Sequence, residues 1–468
     1  EGKQQENQTN HGARIAARLG QRKRRVALPR LGCQEGLDGA RNAGPDGAMS
    51  SPFARFVAAS GFTNLADGIA TVVWAWVATL LTRDAFLVAL MPVALRLPWF
   101  LFALPAGITA DRVDRKKLLQ WMDVARAGAF LLATLAVLAA TPLPEPAAQG
   151  VAAPGLYALL FLAALIVGTA EVFRDNAAQT MLPTLVAHAD LERANGRLWS
   201  VEIVGNELLG PALGAFLIAA AVWSPFALNT AAFALAALLM TTIRGDFQPP
   251  PRQAAPWRAE LREGLRFLLG SRILTALALI TGFWNLLWMM ITVALVLHVQ
   301  ENLGLGAPAY GLILAAGAVG GILGSLIGDG VIKRLGQGTT AQWMLLASFI
   351  AFALIPLAPN GWWLALVMVL FQPTGVIWNT VTVSHRQRVT PSELLGRVNS
   401  VYRLLAWGMM PVGLLLSGAI INVAEGFVAR EVAITLPNWA AALGAGLLSV
   451  AGWRPLERGF RSTVTADT

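Results

Sequence analysis

Cysteine is almost missing from this 468-residue chain. Cys33 is the only one, which excludes a disulfide framework and a thiolate metal site. Charge is scarce as well, at 13% Asp, Glu, Lys and Arg against 56% hydrophobic residues, with a mean hydropathy of +0.57. That balance excludes a soluble domain and points to an all-α polytopic membrane protein. There is no Gly-x-x-x-x-Gly-Lys-Ser/Thr phosphate loop, no His-Glu-x-x-His and no Gly-x-Ser-x-Gly elbow. Nothing combines a nucleophile, base and orienting group, so no enzyme, cofactor or metal site is expected. Without a nucleotide motor, uphill work has to draw on an ion gradient or on exchange. No short cleavable signal peptide is evident, and the first apolar run is long enough to remain as a span.

What the chain does have is long apolar runs. Twelve of them reach or approach the ~20 residues that cross a hydrocarbon core. They fall near 56–81, 85–110, 118–140, 155–174, 198–222, 225–243, 273–298, 309–331, 341–358, 362–383, 398–422 and 436–453. The net charge of +9 would suggest nucleic acid in a soluble chain. Here the basic residues fall in the N-terminal tail and in alternate loops, including Arg112, Arg115, Lys116, Lys117, Arg193, Arg197, Lys333 and Arg334, so the charge encodes topology. By the positive-inside rule both termini are cytoplasmic. Residues 1–48 are polar, basic and without apolar periodicity, and are expected to be disordered. Met49 directly precedes the first run and is the expected physiological start, with a genuine cytoplasmic tail as the alternative. Intact mass of protein from the native host distinguishes the two.

The longest loop divides the spans six and six. The expected units are an N-terminal bundle over 49–243, a linker over 244–272, a C-terminal bundle over 273–453 and a cytoplasmic tail over 454–468. In the linker, Trp257, Leu261, Leu265 and Leu268 recur at helical spacing among charges, which predicts an amphipathic helix along the inner membrane surface, tethering the halves. The halves echo each other. Arg193-Ala194-Asn195 before the fifth span corresponds to Arg397-Val398-Asn399 before the eleventh, as in parallel-repeat transporters.

Intramembrane charges are costly unless paired or wet, and are therefore the informative residues. Asp67 and Arg96 lie midway through adjacent antiparallel spans, so a pair at common depth is possible. The pair would serve either as a proton carrier or as a fixed packing bridge. Glu202 and Glu207 are five apart on the fifth span and face different directions, with Glu207 expected to be the deeper. Glu171, Arg174 and Asp175 share one face of the fourth span, and with Arg115, Asp123 and Arg126 they predict a charge cluster at the inner end. The second half carries mainly Arg403. In the seventh span Trp284, Asn285 and Trp288 form a patch suited either to a flexible amphipathic solute or to packing, and Gln372 and Asn379 in the tenth could add hydrogen bonds.

Between the second and third spans stands Gly107-Ile108-Thr109-Ala110-Asp111-Arg112-Val113-Asp114-Arg115-Lys116-Lys117. It resembles the loop signature of the major facilitator superfamily, with Asp114 where a small residue is usual. The fifth span carries Gly205, Gly210, Pro211 and Gly214, resembling the glycine-proline motif of that superfamily's antiporters. Gly205 is one residue out of the usual spacing and Ala215 stands where a final Gly is common. Leu97-Pro98-Trp99-Phe100-Leu101-Phe102-Ala103-Leu104-Pro105-Ala106-Gly107 and Gly396-Arg397-Val398-Asn399-Ser400 are similar to the branch holding enterobactin exporters and macrolide efflux pumps.

The resemblance implies two six-helix pseudo-symmetric bundles around a cavity, in a bacterial inner membrane. It further implies export of small amphipathic molecules by proton antiport and alternating access. It makes Gly107, Asp111, Arg112 and Arg115 part of a cytoplasmic gate, with Asp111 facing Gly396–Asn399 and Arg115 pairing with Glu171 or Asp175. The expected partners are the bilayer and a small-molecule substrate, not nucleic acid, and the chain is expected to act as a monomer. An uptake symporter and a non-transporting receptor are the rival readings.

Overall fold

The computed structural model describes residues 51–187, 190–249 and 257–464. The basic tail over 1–48, the start at Met49 and part of the interhelical linker lie outside the described residues. The spans are Ser51–Leu81, Ala85–Ala110, Arg115–Ala139, Pro154–Leu185, Leu191–Ala220 and Ser224–Thr241 in the first half. In the second half they are Arg272–Asn302, Ala307–Leu335, Gln337–Leu354, Gly361–Val389, Leu394–Ala424 and Arg430–Val464. They are called spans 1 to 12 below. Among the described residues, 11 helices are long and apolar enough to cross a membrane. Span 9 has 18 residues but opens on Gln337-Gly338-Thr339-Thr340, which dilutes its apolarity. Its polar groups are satisfied by protein: Thr340 Oγ1 donates to the Gly336 carbonyl at 2.7 Å and Gln342 Nε2 to the Trp453 carbonyl at 2.7 Å.

Side chains at the turns set where helices begin. Asp84 accepts from the Phe86 and Leu87 amides at 2.9 and 3.1 Å, Ser271 from Leu274, and Asn360 from Trp363 at 3.0 Å, all satisfying otherwise orphaned first-turn donors. Asp114, the departure from the loop signature, is the N-cap of span 3 and accepts from the Lys117 amide at 3.2 Å. Gly336, at φ +77°, lets the chain reverse between spans 8 and 9 with no further loop residue.

Spans 1 to 6 pack on one another, as do spans 7 to 12. Between the halves, span 2 packs on span 11 and span 5 on span 8. These are equivalent contacts, because a shift of six spans turns one pair into the other. The side carrying the Arg112–Lys117 loop is called the basic side. At the opposite end the halves are joined by polar bonds. Asn422 donates from Nδ2 to Asp84 Oδ1 at 2.6 Å and accepts from the Ala85 amide at 3.0 Å. Arg430 donates to the Arg83 carbonyl at 2.7 Å while paired with Glu301 and Glu425.

The linker helix, Trp257–Gly270, forms where its periodicity predicts, but it docks on protein. Leu268 is fully buried, and Glu263 pairs with Arg397 at the start of span 11 at 2.5 Å. Gly264 lies so close that an added Cβ would stand 2.7 Å from the Arg397 carbonyl oxygen. The apolar stripe is thus divided: Leu268 seals the second bundle and Leu265 and Leu269 stay exposed.

Candidate functional site

A cavity of about 1060 Å³ lies between the halves. Phe56, Ser60, Asn64 and Asp67 recur along one face of span 1 as part of its wall. Every lining residue comes from the basic-side half of its span or from its middle: 56–67 on span 1, 171–182 on span 4, 195–206 on span 5, 383–387 on span 10. The cavity therefore opens on the basic side. Trp99 of span 2 meets Trp407 of span 11 edge-on, ring centroids 5.1 Å apart, where the halves converge.

Most charges in and behind this wall are paired, Glu202 and Arg403 excepted among the described residues, in an arrangement that differs from the sequence expectation. Asp67 pairs with Arg126 of span 3, not with Arg96. Arg126 is fully buried and lies over the Phe233 ring at 4.0 Å, with Nε and Nη1 lacking other partners. Asp67 thus has one oxygen on a dry guanidinium and a face on the cavity. Asn229 of span 6 fixes the adjacent backbone by donating to the Ala66 carbonyl at 3.0 Å. Arg96 points to Glu171 at 3.9 Å. Arg174 donates to the buried Asp123 at 3.0 Å and lies 3.6 Å from Asp175.

Three features of the predicted gate are placed otherwise. Arg115 pairs with neither Glu171 nor Asp175, and its Nε is buried without a partner. Asp111 and Arg112 are exposed, and among the described residues no hydrogen bond or ion pair joins them to span 11. Asn399, the expected neighbour of Asp111, accepts instead from Arg386 Nε at 2.6 Å. Gly107 has open space beside it, the nearest atom to an added Cβ being Asn176 Oδ1 at 3.9 Å. All this fits a cavity standing open at this end.

In span 5 the spacing anomaly has a structural cause. Residues Ile203–Leu209 form a π turn, and the Gly210 amide donates to the Gly205 carbonyl, five residues back. The wider turn absorbs one extra residue. Gly205, Gly210 and Gly214 can all therefore face span 1, where added Cβ atoms would stand 3.1 Å from Leu65 N, 2.6 Å from Gly68 Cα and 2.9 Å from the Ile69 carbonyl oxygen. Pro211 is buried at the span 8 contact, where its carbonyl oxygen lies 2.6 Å from a Cβ built on Gly311. The turn also decides between the two acids: Glu202 and Asn206 line the cavity and Glu207 does not.

The aromatic patch of span 7 lies away from the cavity wall. Trp284 stacks on Phe371 at 5.7 Å and 17°, Trp288 packs on Phe352 and Phe371, and Asn285 Nδ2 donates to the Ala406 carbonyl at 2.9 Å. Gln372 packs at the span 8 contact near Gly317, and Asn379 is exposed outside the cavity lining. These rings fill the second bundle because large apolar side chains gain most by burial. Trp288→Ala is expected to lower thermal stability by about 3 kcal/mol and leave the substrate profile unchanged; thermal unfolding and a transport panel check both halves of that statement. The cavity's aromatics are instead Phe56, Trp99, Trp199 and Trp407, with Met289 and Met410. Each of the three Trp lies three or four residues from an intramembrane charge, Arg96, Glu202 and Arg403 respectively. That spacing was the available signal.

The sequence profile described as transmembrane secretion effector matches residues 49–453. The chain belongs to this family of major facilitator superfamily transporters. Among the relatives of this chain, the multidrug efflux pump Tap of Mycolicibacterium fortuitum is 27% identical over 404 residues, covering 82% of this chain and 91% of that protein. The enterobactin exporter EntS of Shigella boydii serotype 4 (strain Sb227) is 25% identical over 332 residues, covering 69% of this chain and 74% of that one. A crystal structure of a bacterial homologue of the iron transporter ferroportin, in an inward-facing state, aligns with a TM-score of 0.68 at 16% identity over 87% of this chain and 99% of that one. The fold of this chain is therefore that of a major facilitator transporter.

Proposed function

We propose that this multi-pass transporter is a proton-coupled exporter of amphipathic molecules that carry a basic group, acting in a bacterial inner membrane. The basic side is the cytoplasmic side, with both ends of the chain there, following the distribution of loop charge. The observation that carries this reading is the cavity itself. It is large enough for a drug-sized molecule, lies between the halves, opens toward the basic side and has Asp67 on its wall. Glu202 has no ion-pair or hydrogen-bond partner among the described residues, so it is available for a substrate cation. Trp99, Trp199 and Trp407 line the cavity for an apolar or aromatic body, and the Arg403 guanidinium lies over the Trp407 ring, 5.4 Å from its centroid. A pump that loads here accepts substrate from the cytoplasm. Efflux-pump and exporter relatives support the same direction.

The substrate then leaves after the far-side contacts at Asp84, Asn422 and Arg430 part and the Asp111–Arg115 region closes on span 11. Efflux of a lipophilic cation from preloaded cells tests the assignment. Export that stops with a protonophore, and falls about 10-fold in Glu202→Gln, is the expected result. Accumulation inside the cells would establish uptake instead. A single cysteine replacing Asn195, on the cavity wall, should react faster with a thiol reagent from the cytoplasm than from outside. Equal reactivity from both faces would contradict a closed far side.

A further inference from the structure

A second cavity, about 1190 Å³, lies outside the transport path, at the basic-side ends of spans 7, 9 and 12. Val450, Arg454 and Arg458 form a stripe at four-residue intervals along span 12, so one helix face passes from apolar to basic along the groove. From Ser449 to Arg458 the groove runs roughly 13 Å along the helix axis. Leu346 of span 9 and Val450 line its deep end. Arg272, Arg454 and Arg458 line its outer end, all exposed, with Trp453 beside them. No acidic residue lines the groove, and among the described residues none of the three arginines has a carboxylate partner. Most exposed arginines at a span end simply reach the headgroup region. Here three converge on one indentation that continues into an apolar slot at the depth of acyl chains.

We propose that this groove is a binding site for an anionic phospholipid. Arg454 and Arg458 hold the headgroup phosphate, Arg272 closes the mouth, and an acyl chain lies along Leu346 and Val450. The polarity gradient along the groove matches the two ends of such a lipid, and the unpaired cations select it over a zwitterionic one. The site is separate from the transport cavity, so it stands or falls independently of the exported substrate.

The test is native mass spectrometry of the purified full chain in detergent, given equal amounts of phosphatidylglycerol and phosphatidylethanolamine with identical acyl chains. Wild type should retain phosphatidylglycerol about 10-fold better. R454Q/R458Q should lose that preference while keeping the wild-type gel-filtration profile. Ala451→Trp, which fills the groove from an exposed position without changing charge, should also lose it, so the result does not hang on one variant. Millimolar inorganic phosphate should fail to displace the lipid, since it lacks an acyl chain. Equal retention of both lipids by wild type would overturn the proposal, as would unchanged retention in both variants. Displacement by phosphate alone would make this a free-anion site and not a lipid site.

Discussion

Asp67→Asn is expected to abolish uphill efflux while leaving downhill exchange of the same compound. Asp67 pairs with Arg126, which is fully buried and has no other ion-pair partner among the described residues, Glu171 and Asp175 acting on it only from farther off. A neutral amide would remove that guanidinium's one direct ion-pair partner, at a cost of about 3 kcal/mol to the folded state. It would also remove the one carboxylate that both touches the buried arginine and faces the cavity. The partner variant Arg126→Gln should be as damaging. The double variant D67N/R126Q should recover most of the lost thermal stability, because replacing both members of a buried pair costs less than stranding one. Coupling should stay absent in the double variant. Pairing thermal unfolding with uphill and downhill assays separates structure from coupling. A double variant that regains uphill transport would reduce this pair to a packing bridge.

Gly68→Val should have the largest effect on folding. A Cβ at position 68 would lie 2.8 Å from Asn206 Cα and 2.8 Å from the Gly205 carbonyl oxygen, both backbone atoms of the π turn. Neither can move without parting spans 1 and 5, so yield of folded protein should fall about 10-fold or more. Gly196→Ala on the same span 5 meets nothing within 4 Å and should be neutral. Fluorescence-detected gel filtration of the two variants reads this directly. Wild-type behaviour of Gly68→Val would mean that the close approach is not needed.

The spans and the family signature were legible because hydropathy and loop charge are local properties. Partners were not, because depth can be counted along a helix while its rotation cannot. Arg96 and Arg126 both lie near the depth of Asp67, and only the packing of span 3 against span 6, with Phe233 under the guanidinium, selects Arg126. The same limit misplaced Trp284 and Trp288, whose residue type suits a ligand pocket and a bundle core equally. The out-of-step Gly205 was visible as a spacing anomaly. Its meaning, a π turn that turns Glu202 into the cavity and leaves Glu207 off its wall, depends on contacts with span 1. Asp114 is the opposite case: a departure from the signature explained by a single local hydrogen bond.

Proton movement driven by substrate, in liposomes holding the purified protein and an internal pH dye, tests the central claim most directly. A gradient of exported cation, with no pH gradient imposed, should drive protons in the opposite direction, and Asp67→Asn should eliminate that signal while the cation still equilibrates. Protons moving in the same direction as the cation, or no proton movement while wild-type protein carries it, would contradict the account.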